Sequence, residues 1–93
     1  MLLQLEKLTL IYVEDKEMKE LTRYIAESLV DHPELVKVDV VEGERISVIE
    51  LRVAKEDIGK IIGKQGKTAS AIRTLLNAAS MKLKRRAILE IID

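Results

Sequence analysis

Two glycines separated by two residues, each followed by a lysine, are the part of this sequence best suited to chemistry: Gly63-Lys64-Gln65-Gly66-Lys67. With no side chain at Gly63 or Gly66, a sugar-phosphate backbone can approach the main chain closely, and unusual dihedral angles cost little there. Helical patterns lie on both sides of the link. Its amides, and those of the first turn that follows, therefore point outward as donors where the helix dipole favours an anion. Lys64 and Lys67 add mobile positive charge at the same place. Lys67 and Arg73, near a helix N-terminus, do nothing for the helix itself and point to a partner. Ala69, Ser70 and Ala71 keep the next turn slim. The chemistry implied is anion capture, not bond making.

Simpler readings compete at each position. A helix–helix turn commonly contains glycine without any ligand. Gly63 to Thr68 also imitates the end of a Walker A loop, and the apolar run Ile88 to Asp93 imitates a strand ending in a magnesium aspartate. The full Walker pattern needs a glycine five residues before Gly66, where Ile61 stands, and a buried strand before the loop, where a short helix pattern stands instead. A nucleotide-hydrolysing enzyme is therefore excluded. His32 has no serine, cysteine or paired acid placed to work with it and reads as a helix-end residue. Asp39, Glu50 and Glu90 lie on strands facing solvent. Lys82, Lys84, Arg85 and Arg86 either extend an anion-binding surface or simply suit a helix C-terminus. No catalytic constellation, cofactor motif or small-molecule site stands out.

The elements that must hold the glycine link follow from periodicity. Asp15 can cap a helix in which Met18, Leu21, Ile25 and Leu29 recur at three- and four-residue steps. His32-Pro33 ends it, because the residue before proline is pushed out of the α region. Val36, Val38 and Val40 alternate with polar residues, Glu42-Gly43-Glu44 turns the chain, and Ile49, Leu51 and Val53 alternate again, which predicts a hairpin. A short helical stretch over Glu56 to Ile62 precedes the link. A longer helix after it buries Ile72, Leu75, Leu76, Ala79 and Leu83, with Lys67, Ser70, Arg73, Thr74 and Asn77 outward. A last strand spans Ala87 to Ile92. The order α-β-β-α-α-β predicts an α+β fold, helices on one face of a three-stranded mixed sheet, the last strand pairing parallel to one of the first two.

Ninety-three residues, 47% of them apolar and 34% charged, suit one soluble domain. The absence of cysteine excludes disulfides and thiolate metal sites, and a lone histidine makes a protein-only zinc site untenable. Leu2, Leu3, Leu5 and Leu8 enclose Glu6 and Lys7 without a basic leader, which fits neither a signal peptide nor a membrane span, so the cytoplasm is the expected location. The zero net charge conceals an asymmetry. Residues 55–86 carry nine Lys or Arg against two acids, and residues 31–54 six acids against three bases. Such a polarised surface admits a polyanion locally. With only two tyrosines and no Phe or Trp, base stacking on exposed rings is not the mode of binding.

Ile61-Ile62-Gly63-Lys64-Gln65-Gly66-Lys67 between two helices resembles the hydrophobic-Ile-Gly-x-x-Gly signature of KH domains, in the type II arrangement where the hairpin precedes the signature. Leu29 to Glu34, Val41 to Arg45 and Glu56 to Gly66 further resemble the small bacterial single-KH proteins of the KhpA type, a likeness running from about Met18 to Ile92. The resemblance implies single-stranded RNA as partner, with Gly63, Lys64, Gln65 and Gly66 clamping about four nucleotides of backbone. It also implies that Ile58, Ile61 and Ile62 wall the base groove, completed by the second strand. Lys60, Lys67, Ser70 and Arg73 complete the expected contact set. It further implies a homodimer, or a heterodimer with a larger KH-containing protein, and a role of the RNA-chaperone kind. Lys55 stands where relatives often have proline. Residues 1–17 read as an N-terminal extension and 18–93 as the domain. The alternative is a protein–protein adaptor whose interface residues 2–13 supply, with an added strand from Leu8 to Val13.

Overall fold

The computed structural model describes the backbone of residues 2–81 and 85–92, and the side chains of residues 16–81 and 85–92. Helix α1 spans Leu2–Leu29, strand β1 Lys37–Glu42, strand β2 Ile46–Arg52, helix α2 Ile58–Ile62, helix α3 Lys67–Met81 and strand β3 Arg86–Ile92. One-turn 3-10 helices occupy Pro33–Leu35, Lys55–Asp57 and Lys64–Gly66. The α+β order is the one the periodicities predict.

The sheet order is β1-β2-β3, with β1 and β2 antiparallel and β2 and β3 parallel. Alternation assigns the faces. Val38, Ser47, Ile49, Leu51, Ala87 and Leu89 point inward and are buried. All of these but Ser47 meet Met18 and Ala26 of α1, Ile61 of α2, and Ile72 and Leu76 of α3 in one core. The Gly43 amide donates to the Ile46 carbonyl at 2.7 Å and closes the hairpin. The Arg85 guanidinium donates to the Gly43 carbonyl at 2.9 Å, tying the approach to β3 to that turn.

Two expectations about α1 are corrected. The helix does not start at Asp15 but runs unbroken through it from Leu2, so no strand forms over Leu8 to Val13. Residues 2–14 contain neither glycine nor proline. A cap worth about 1 kcal/mol cannot end a helix whose upstream residues still gain hydrogen bonds by continuing it. The buried stripe also differs: Met18, Thr22 and Ala26 face the core, while Leu21 and Leu29 are 37% and 40% exposed. Small residues at 22 and 26 let the helix approach closely, and the Thr22 hydroxyl is satisfied by the Met18 carbonyl at 2.8 Å. On α3, Leu75 is 54% exposed where burial is predicted, and Ser80 is buried instead. Leu83, Lys82 and Lys84 lie outside the described residues.

Candidate nucleic-acid interface

The corner between α2 and α3 is built from backbone conformations that side chains resist. Gly63 has φ 76° and ψ 173°, Gln65 φ 58° and ψ 26°, and Gly66 φ 74°. The two glycines are fixed for different reasons. A Cβ on Gly63 would overlap the Thr68 side chain and lie 2.9 Å from the Thr68 nitrogen, whereas a Cβ on Gly66 would meet nothing within 4 Å. Gly63 is thus demanded by packing as well as dihedral angle, Gly66 by dihedral angle alone. Thr68 is the partner that periodicity gave no reason to single out.

The hydrogen bonds shape the turn. The Gly63 amide donates to the Gly59 carbonyl at 2.8 Å, and the Gly66 amide to the Gly63 carbonyl at 3.1 Å. The first amides of a helical turn have no partner inside it, so those of Lys64 and Gln65 are the donors the corner offers outward. Lys64, Gln65, Lys67, Ser70 and Arg73 are exposed. No carboxylate of the described residues pairs with Lys64, Lys67 or Arg73. The isoleucines divide. Ile61 is completely buried and holds α2 to the core, Ile58 is half-buried, and Ile62 is 41% exposed beside the corner.

Lys60 is engaged elsewhere. Its ammonium pairs with the Asp31 carboxylate and lies 3.5 Å from Asp57 Oδ1. Asp57 is fully buried and receives the Asp31 amide at 3.2 Å and the His32 amide at 3.0 Å. One carboxylate therefore bolts the end of α1 to the start of α2. Burial, the largest single influence, pushes the Asp57 carboxyl pKa up. The two backbone amides and Lys60 together outweigh it and hold the group below its ordinary value. The Asp31 hydrogen bond, against the cost of burial, raises Lys60 above its ordinary value. His32 sits between Glu34, 3.6 Å away, and Glu56, 3.8 Å away. An open depression of about 610 Å³ between α1 and β1 is lined by Lys16, Lys19 and Arg23 interleaved with Glu20, Asp39 and Glu42, so it carries no single sign of charge.

Among the described residues, no group of three His, Asp or Glu side chains could hold a metal ion. Among the same residues, no helix is long and apolar enough to cross a membrane.

A three-stranded mixed sheet backed by helices, with a Gly-x-x-Gly corner between the second and third helices, defines a type II KH-like fold. Residues 19–91 match the family described as KhpA/KhpB, KH domain. The chain is 55% identical over 75 residues to the RNA-binding protein KhpA of Caldanaerobacter subterraneus subsp. tengcongensis, an alignment covering 81% of this chain and all of that one. It is 53% identical over 74 residues to the RNA-binding protein KhpA of Borreliella burgdorferi, covering 80% of this chain and 90% of that one. A crystal structure of Aquifex aeolicus Era bound to GDP.AlF4- superposes with a TM-score of 0.56 at 26% identity, over 80% of this chain and only 29% of Era. The chain belongs to the KhpA/KhpB family of KH domains, and this places it among binding proteins and not among enzymes.

Proposed function

We propose that this protein binds single-stranded RNA and clamps about four nucleotides at the Gly63–Gly66 corner. The observation that carries the reading is the corner itself, where two positive-φ glycines flank Lys64 and Gln65 and the neighbouring cations have no carboxylate partner among the described residues. The names of the relatives support the same partner. In this reading the amides with Lys64 and Lys67 hold phosphates. Ile62 and Ile58 give the bases an apolar floor, Ile61 sets the height of that floor from the core, and Ser70 and Arg73 extend the contact along α3. Lys60 flanks the groove from its ion pair. The unit that carries the activity is residues 18–93, in the cytoplasm.

The test is binding of a fluorescent single-stranded RNA by the wild type and by the double variant Lys64→Asp/Gln65→Asp, with circular dichroism on both. Aspartate tolerates the left-handed conformation at position 65, so the variant keeps its fold. We expect a loss of affinity of about tenfold or more, which is about 1.4 kcal/mol or more. Equal binding by the two proteins overturns the clamp.

A second activity of the same chain, pairing with another KH-bearing chain, is supported by α3. Leu75 and Met81 are 54% and 75% exposed, and Ala71 and Ala78 lie beside them on the outward side. This is the helix-spaced apolar stripe that a partner helix covers. Sedimentation of Leu75→Asp should show a lighter species than the wild type, and identical sedimentation of the two removes this reading.

A further inference from the structure

The outer face of the sheet carries an ordered pattern that the fold itself does not use. All three helices meet the core on the inner face, so alternation turns Val41, Val48 and Ile88 outward. The register sets these three side by side across the strands. Val41 and Ile88 are 52% and 40% exposed, and Val48 is half-buried. Asp39, Glu50 and Glu90 form the next row by the same register. Like charges directly opposite one another destabilise a sheet. Lys37 lies 4.0 Å from Asp39, but no cation of the described residues pairs with Glu50 or Glu90. The face thus offers an apolar row beside a row short of positive charge.

The start of α1 has the opposite need. Eight of the twelve residues from Leu2 to Val13 are apolar, and Glu6 and Lys7 are the charged ones. They lie outside the stretch 19–91 that matches the KH family. Among the described side chains, the first of α1 in the core is Met18. A helix in a protein takes most of its stability from a packed face, so an apolar helix that precedes the core calls for a partner surface. Its own outer sheet face is out of reach. The helix runs unbroken from Leu2 to Leu29 along the inner side, with no glycine or proline in residues 2–14 to bend it round the sheet edge.

We propose that residues 2–13 of one chain lie along the outer sheet face of a second copy, and that two chains make this exchange reciprocally. The dimensions agree. Twelve helical residues extend about 18 Å, against about 23 Å for the seven residues of β2. A helix about 10 Å across matches the width of three strands. The apolar residues meet the Val41-Val48-Ile88 row, and Lys7 supplies the cation that Glu50 and Glu90 lack. A lipid surface fits less well: twelve residues are too few to span it, and Glu6 cancels the attraction of Lys7 to anionic headgroups. The contact is separate from the Gly63–Gly66 corner and from the stripe on α3, and does not depend on RNA.

The chain has no cysteine, so introduced ones report single contacts. The experiment mixes an affinity-tagged full-length Leu8→Cys chain with an untagged full-length Val48→Cys chain, oxidises them with diamide and identifies the products by mass spectrometry. The mixed 8–48 disulfide should be the main product. It should persist with Leu75→Asp in both chains and be lost when Lys55→Cys replaces Val48→Cys. Adding Glu50→Lys/Glu90→Lys to the Val48→Cys chain should remove most of it. A predominance of 8–8 disulfides overturns the proposal, because the helices then pair with each other; a predominance of 48–48 disulfides does so because the sheet faces do. Absence of all three products means that no second copy covers either surface. Loss of the mixed product with Leu75→Asp means that the copies meet through α3 instead.

Discussion

Asp57 and Lys60 on one side of α2, and Lys64 and Lys67 at its far end, are of the charged types that sequence patterns treat as surface. Their surroundings are opposite. Around Asp57 each charge has a partner in the chain: two amides, one ammonium, and a second carboxylate on that ammonium. At the corner the cations have none among the described residues, and the amides beside them open outward. A paired and buried charge is framework, because removing it strands its partners without water. An unpaired cation beside bare backbone costs the fold little and remains available to an anion. Charge alone does not separate the two roles; pairing does.

The contrast is tested most severely at Asp57. Asp57→Asn should lower the melting temperature on the order of 10 °C at neutral pH, whereas the corner variant should melt close to wild type. The pH dependence follows from the sign of the shift. The folded pKa of Asp57 lies below its ordinary value of 3.8, so its contribution is complete above that value and is lost as pH falls through the folded pKa. The gap in melting temperature between wild type and Asp57→Asn should accordingly narrow below about pH 4. A gap that stays constant into acid would mean that the carboxylate charge is not what holds the two segments.

A second comparison separates the two corner glycines. Gly63→Ala meets both a forbidden dihedral region and Thr68, and should destabilise by roughly 3 kcal/mol. Gly66→Ala meets only the dihedral term, about 1 kcal/mol. Urea melts of the two variants check this, and equal losses would remove Thr68 from the account. The smallest effect sharpens the comparison of the lysines. Lys64→Ala should make the log–log salt slope of RNA binding shallower by about 0.7, one phosphate contact. Lys60→Ala should leave the slope unchanged, because its charge is already matched by Asp31.

Much of the fold was legible because it depends on repeats a few residues long. Alternating valines at 36, 38 and 40 and the glycine turn at 43 specify the hairpin, and Ile72 with Leu76 specify the inner face of α3. The signature at 61–67 was equally legible, since glycine at fixed spacing reports backbone conformation directly. What could not be read depends on residues far apart. The Asp57 bolt joins positions about 25 residues from it along the chain, and no local pattern marks them as neighbours. On α1 the choice of Thr22 and Ala26 over Leu21 and Leu29 follows from how closely the helix must approach its neighbours, and hydrophobicity alone ranks those residues in the wrong order. The cap signal at Asp15 was real in type and too weak in magnitude.

The parallel pairing of β2 with β3 has a consequence in time. Ile46 is registered against Arg86 and Leu51 against Ile91, so each rung joins residues 40 apart with the whole α2–corner–α3 segment enclosed in the loop. Closing so long a loop is slow compared with forming a helix or a hairpin. During synthesis, α1, the hairpin, α2 and α3 are all available before β3 exists. The sheet that seats Ile61 and Ile72 is finished only when β3 arrives, so a nascent chain should acquire a rigid corner last, and all at once.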